Sequence, residues 1–148
     1  MAESANPTGT WTDAFPAPRA TAPTISREEA LSDLSSPDLL LVDVRRTDYE
    51  GGTIKGSINL PAQSFFMNRG VLYDLCKRAG VKRIAFYCAS NGRGPRCSGW
   101  FADYIIEKGD EQMTSLTLGG GIKGWVKDGE PYTQQMDRFE PEYWKQFD

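Results

Sequence analysis

Hydrophobic and polar positions follow two alternating rhythms along this chain. Leu39-Leu40-Leu41-Val42-Asp43-Val44-Arg45 is a continuous apolar run closed by charges, the pattern of a strand buried on both faces of a parallel sheet. Arg83-Ile84-Ala85-Phe86-Tyr87 and Thr114-Ser115-Leu116-Thr117-Leu118 read as further strands, and a shorter one is expected from Ser57 to Leu60, stopped by Pro61. Between the strands the period changes. Cys97, Phe101, Tyr104 and Ile105 fall at i, i+4, i+7 and i+8, which predicts an amphipathic helix over 95–108. Helices are also expected over 62–69, 72–79 and 121–128. Ser26-Arg27-Glu28-Glu29 is a capping box, with serine and glutamate placed to satisfy orphan amides, and predicts a helix from Arg27 to Leu34. Strands alternating with helices imply an α/β fold with a mainly parallel sheet. Ligand sites in such sheets lie at the carboxyl ends of the strands. Cys88 stands at one of these ends.

Composition sets the frame for that cysteine. A chain of 148 residues, 39% hydrophobic and 25% charged, suits one soluble globular domain with its own core. Four of the nine prolines lie at positions 7, 16, 18 and 23, so residues 1–24 read as an irregular arm, with Trp11 and Phe15 available to dock, and 25–148 as the domain. A net charge of -3 offers no footprint for nucleic acid. No apolar run approaches the roughly 18 residues of a membrane span, and the N-terminus has neither the basic start nor the apolar stretch of a secretory signal. Glu3 and a single arginine in the first 24 residues argue against mitochondrial import. The expected location is the cytoplasm.

The chain contains no histidine, which removes the usual general base of a Ser-His or Cys-His hydrolase and every histidine-containing metal site. Its three cysteines, Cys76, Cys88 and Cys97, form no Cys-x-x-Cys pair and suit free thiols in a reducing compartment. The loop Cys88-Ala89-Ser90-Asn91-Gly92-Arg93 is small, polar and glycine-containing, so its backbone can curl into an anion-binding nest at the start of a helix. A thiol at the centre of that nest is stabilised as thiolate, with Arg93 and Arg96 adding positive charge. The alternative is a small buried hydrophobe at a strand end; the arginine-bearing loop favours the nucleophile, acting on an oxyanion of sulfur or phosphorus. Cys97, on the apolar face of its helix, reads as core rather than as a resolving thiol, and Cys76 as structural or exposed. Asp43 and Arg45 read as a supporting pair rather than as catalysts. Trp125 reads as core, and Phe65, Phe66, Met67 and Arg69 as a helix face on the sheet rather than an entrance to the site. The aromatic segment 138–144 is expected to pack back on the domain.

Three separated segments resemble the rhodanese-like domain family. They are Leu41-Val42-Asp43-Val44-Arg45 with Tyr49 to Pro61, the Cys88 loop, and Leu118 to Trp125 with Gly129-Glu130-Pro131. The resemblance implies the rhodanese fold, a central, mainly parallel sheet with helices on both faces. It also implies sulfurtransfer of the thiosulfate sulfurtransferase type. Cys88 would accept the outer sulfur of thiosulfate or a similar anionic donor and release sulfite. Its persulfide sulfur would then pass to cyanide or to a thiol such as glutathione or thioredoxin. Ala89, Ser90, Asn91, Gly92, Arg93 and Arg96 would bind the donor, and no metal or organic cofactor is required.

The family also has a phosphatase branch, with cell-division-cycle phosphatases and small arsenate reductases, and Arg93-Gly94-Pro95-Arg96 resembles the segment that follows their catalytic loop. Those phosphatases have five residues between cysteine and arginine, and sulfurtransferases typically one fewer. Here there are four. Tyr87 stands where the phosphatase signature has histidine, and the loop holds no acid to protonate a leaving alkoxide. Thr53 also departs from the family form, which commonly has histidine there. These features favour sulfurtransferase, with phosphatase or arsenate reductase as the alternative reading.

Overall fold

The structure, a computed structural model, describes residues 11–148. Its elements run β1 (Thr24–Ile25), α1 (Arg27–Ser32), β2 (Leu39–Asp43), β3 (Thr53–Ile54), β4 (Ile58–Asn59), α2 (Ala62–Phe65), α3 (Arg69–Ala79), β5 (Arg83–Tyr87), α4 (Arg93–Glu107), β6 (Thr114–Leu118), α5 (Gly121–Lys127), β7 (Met136–Asp137) and α6 (Pro141–Trp144). Five strands form one sheet in the order β1-β6-β5-β2-β4, every pair parallel. β3 and β7 pair antiparallel beside it. The α/β fold expected from the alternating pattern is the one observed.

Alternation along the central strand builds two cores. Ile84 and Phe86 of β5 face Phe65, Leu72, Trp100 and Phe101 of α2, α3 and α4. Ala85 and Tyr87 face Ala30, Ile122, Trp125 and Trp144 of α1, α5 and α6. Each fully buried large apolar side chain contributes roughly 1.5–3 kcal/mol by leaving water. Burial on both faces is why the central strands read as unbroken apolar runs.

Several boundaries differ from the sequence reading for local reasons. Ser26 caps α1 as expected, its Oγ accepting from the Glu29 amide at 3.0 Å, but the helix stops at Ser32 instead of Leu34. The helix expected over 62–69 breaks after Phe65 into a 3-10 turn. There Arg69 Nε donates to the Phe66 carbonyl at 2.7 Å, and the Phe66 ring stacks on Phe15. α3 starts at Arg69 rather than 72, and its Gly70 leaves room for the Tyr104 hydroxyl, 3.0 Å from where a Cβ would stand. The two-residue strands β1, β3 and β7 fall below what any periodicity can announce.

Residues 11–23 hold one 3-10 turn (Trp11–Ala14) and lie along α4 from Trp11 to Ala20, after which the Pro23 carbonyl accepts from the Thr117 amide of β6. Trp100 Nε1 donates to Pro16 O at 2.7 Å, and the Asp103 carboxylate accepts from the Arg19 and Ala20 amides at 2.8 and 2.9 Å. At the other end of the chain, Trp144 packs into the second core and donates to Gly51 O at 2.8 Å. No helix among the described residues is long and apolar enough to cross a membrane.

Candidate active site

β5 ends at Tyr87 and delivers Cys88 to the mouth of the sheet, where a loop over residues 88–92 leads into α4. Two contacts shape that loop. The carbonyl oxygens of Cys88 and Ala89 accept from the Ile122 and Lys123 amides, each at 3.0 Å. Gly121 has φ +62°, and a Cβ there would stand 2.7 Å from the carbonyl oxygens of Cys88, Ala89 and Ser90. That close approach answers what the glycine run at 119–121 does: it lets α5 press against the carbonyl side of the loop. The amides of residues 89–92 are bonded to no acceptor among the described residues. They adjoin the unpaired amides and positive dipole end of the fifteen-residue α4. The result is a ring of available donors around a sulfur, suited to an anion.

The arginines flanking the loop have different partners. Arg93 donates from both terminal nitrogens to the Asp48 carboxylate, with Nη1–Oδ1 at 2.8 Å. The Arg93 guanidinium holds the Asp48 carboxyl down at about 2. Asp48 foremost, and the nearby Cys88 sulfur to a lesser extent, push the arginine the other way, above its ordinary value. Arg96 donates from Nη2 to Thr12 O at 3.2 Å and lies 5.1 Å from the Trp100 ring and 6.0 Å from the Trp11 ring. An open depression of about 520 Å³ covers the site. Cys88, Ala89, Ser90, Gly92, Arg93 and Arg96 line it together with Trp11 and Thr12. Asn91 is exposed in the loop and does not line the depression.

Asp43 and Arg45 lie beneath, 0% and 1% exposed, joined by Nη2–Oδ2 at 2.8 Å. Arg45 also donates to the carbonyls of Asp48, Glu50 and Gly52 at 3.2, 3.0 and 2.8 Å. The pair therefore shapes the loop that carries Asp48, and neither residue lines the depression. Thr53 donates to Asp43 at 2.8 Å and shares a hydrogen bond with the Tyr87 hydroxyl at 2.9 Å. Tyr87 also receives the Ile54 amide and bonds Ser57, so this side chain ties the second core together on the sheet face opposite Cys88.

Cys97 is fully buried in the first core, where burial pushes its thiol up, and burial raises the Cys76 thiol to about 11. Cys76 is thus structural, not exposed. Phe65 is core, Phe66 meets the arm, and Met67 is 73% exposed; none lines the depression. Sequence reasoning missed Asp48, Trp11 and Thr12 as site residues. An acid near the Asp-Val-Arg run was visible, but nothing in the sequence joins it to an arginine 45 positions away.

Residues 26–128 match the family described as Rhodanese-like domain. The chain belongs to the rhodanese-like domain family. The matched span holds four of the five strands of the main sheet, all but β1, together with the Cys88 loop and the Asp48 turn. Among solved structures, the As-Sb reductase from Leishmania major is 26% identical, with TM-score 0.66 over 78% of this chain and 84% of that one. A yeast protein, Ygr203w, described as a protein tyrosine phosphatase of the rhodanese family, is 20% identical, with TM-score 0.68 over 84% of this chain and 98% of that one. A second structure of Ygr203w from Saccharomyces cerevisiae, described as a homolog of single-domain rhodanese and of the Cdc25 phosphatase catalytic domain, is 18% identical with TM-score 0.68, covering 83% and 91%. No curated protein matches the sequence.

Proposed function

We infer that the protein is a sulfurtransferase that carries a sulfane sulfur on Cys88 between a small anionic donor and a thiol or cyanide acceptor. In the first half-reaction the Cys88 thiolate attacks the outer sulfur of thiosulfate. A new S–S bond forms as the S–S bond of thiosulfate breaks, and sulfite leaves with the bonding electron pair. In the second, cyanide or an acceptor thiolate attacks the terminal sulfur, and Cys88 departs as thiolate, giving thiocyanate or a new persulfide. Two such displacements predict double-displacement kinetics. The uncommitted amides of 89–92 stabilise the anionic terminal sulfur between the steps.

The observation that carries this reading is a four-residue cradle without a proton donor. Sulfite and thiolates leave unprotonated, whereas an alkoxide leaving a phosphate ester needs an acid. Asp48, the carboxylate on Arg93, is held at about 2 and has no proton to give at neutral pH. A second reading, cysteine-dependent arsenate reduction or phosphate-ester hydrolysis, is favoured by the 26% identity to the Leishmania major As-Sb reductase.

The deciding experiment assays the purified protein and its Cys88→Ser variant for three activities: sulfite release from thiosulfate, hydrolysis of a small aryl phosphate, and arsenate-dependent thiol oxidation. We expect sulfite release that falls at least about 100-fold in Cys88→Ser, as for loss of a covalent nucleophile. Cys88-dependent phosphate release or arsenate reduction without sulfur transfer would overturn the reading.

A further inference from the structure

The two arginines beside Cys88 are not equivalent. Arg93 has both terminal nitrogens on the Asp48 carboxylate, so an opposite charge already faces it. Arg96, one turn further along α4, meets no carboxylate among the described residues. Its Nε is buried without a partner, and its Nη2 bonds a neutral carbonyl, that of Thr12. Two indoles flank its guanidinium. One of them, Trp11, lies on the N-terminal arm. The other, Trp100, is where the arm rests: its ring meets Trp11 and Phe15 edge-on, and its Nε1 bonds Pro16 O. Aromatic faces and a carbonyl hold a guanidinium without cancelling its charge.

We propose that the N-terminal arm is part of the active site, with Trp11 and the Thr12 carbonyl holding Arg96 in the wall of the Cys88 depression as the cation that draws in a small anionic substrate. This rests on the reading of Cys88 as a nucleophile toward anions, and it assigns the anion-reading charge to Arg96 ahead of Arg93. Arg96 and Trp11 line the same depression as the thiol, so a donor anion reaching Cys88 passes beside both. The arm is secured far from the depression as well. Asp103 accepts from the Arg19 and Ala20 amides, and Gly99 admits Ala20 O and Pro18 to within 2.8 and 2.9 Å of its absent Cβ. That remote anchor allows the arm to be loosened without touching the site.

The test compares alkylation of Cys88 in the full-length protein by anionic iodoacetate and by neutral iodoacetamide, followed by mass spectrometry of its peptide. Both reagents meet the same thiolate, so the ratio of their rates cancels thiolate content and reads the local charge. Arg96→Gln should lower the iodoacetate-to-iodoacetamide ratio about fivefold, the size of one unit charge at close range in a hydrated site. Trp11→Ala and the remote Asp103→Ala should lower it in the same direction, Trp11→Phe should retain most of it, and Arg93→Gln should lower it less than Arg96→Gln. A ratio unchanged in Trp11→Ala and in Asp103→Ala, with thermal melts showing both folded, overturns the arm's role. A ratio unchanged in Arg96→Gln overturns the assignment of the cation. Alkylation needs no turnover, so an arm-dependent ratio in a protein that fails to transfer sulfur rejects the proposed reaction and keeps the arm in the site. Sulfur transfer with an arm-independent ratio does the reverse.

Discussion

Asp48 sets the charge that the cradle presents, because it engages both terminal nitrogens of Arg93. Replacing it with asparagine removes the opposing charge and leaves one acceptor, so Asp48→Asn should lower the KM for thiosulfate two- to fivefold, read from initial rates. The pair lies partly exposed, so its loss should cost no more than about 1 kcal/mol of stability. Its pH dependence has a definite sign. The Asp48 carboxyl is held at about 2, below its ordinary 3.8. The stabilisation is therefore complete above about pH 4 and is lost as pH falls toward 2. Denaturant midpoints of wild type and Asp48→Asn, measured from pH 6 to 2, should converge only in that window. Cys88, Arg93 and Arg96 were legible as site candidates because a strand end, a small-residue loop and a helix start adjoin in the chain. Asp48 was not, since its pairing depends on where a different loop lies in space.

Among the elements, the contact that shapes the loop is α5 against its carbonyl side. Gly121 combines φ +62° with an approach of 2.7 Å to three carbonyl oxygens, so a methyl group there is both strained and obstructed. Gly121→Ala should destabilise the protein by about 2 kcal/mol or more and displace the loop. The check is a paired measurement, a urea midpoint and kcat for sulfite release, with kcat falling even at temperatures where the variant is folded. The period of 3.6 announced α4, and Cys97, Phe101 and Ile105 are indeed its buried face. The same rule missed the break at Phe65, where the Phe66 carbonyl accepts both the Arg69 amide, in a 3-10 bond, and the Arg69 Nε. That choice depends on Phe15 and Trp100 lying against Phe66, contacts that a local window does not contain.

At the scale of the whole molecule, Arg45 connects the sheet to the site. Its guanidinium joins the buried Asp43 carboxylate to three carbonyls of the loop that carries Asp48. The C-terminal segment covers that loop, with the Gly51 carbonyl accepting from the Glu140 amide and Trp144 Nε1. Removing one partner of a buried ion pair leaves an uncompensated charge, so Arg45→Met should cost about 3–5 kcal/mol, measured by urea unfolding. Trp144→Phe removes a single bond to Gly51 O while keeping most of the apolar burial, and should cost about 1–2 kcal/mol by the same measurement.

The sequence by itself determined the α/β class, the strands and main helices, and the standing of Cys88 at a strand end before a helix. Each of these follows from periodicity, capping and turn chemistry that act over a few neighbouring residues. The tertiary structure decided which charges surround the thiol. Arg93 meets Asp48, Arg96 meets Thr12 and Trp11, and Gly121 meets the carbonyls of the loop, all across segments brought together by the parallel sheet and its two cores. Parallel strands require long crossovers, so the groups that meet at their carboxyl ends are distant along the chain. Their meeting depends on packing geometry, which no local pattern of residues records.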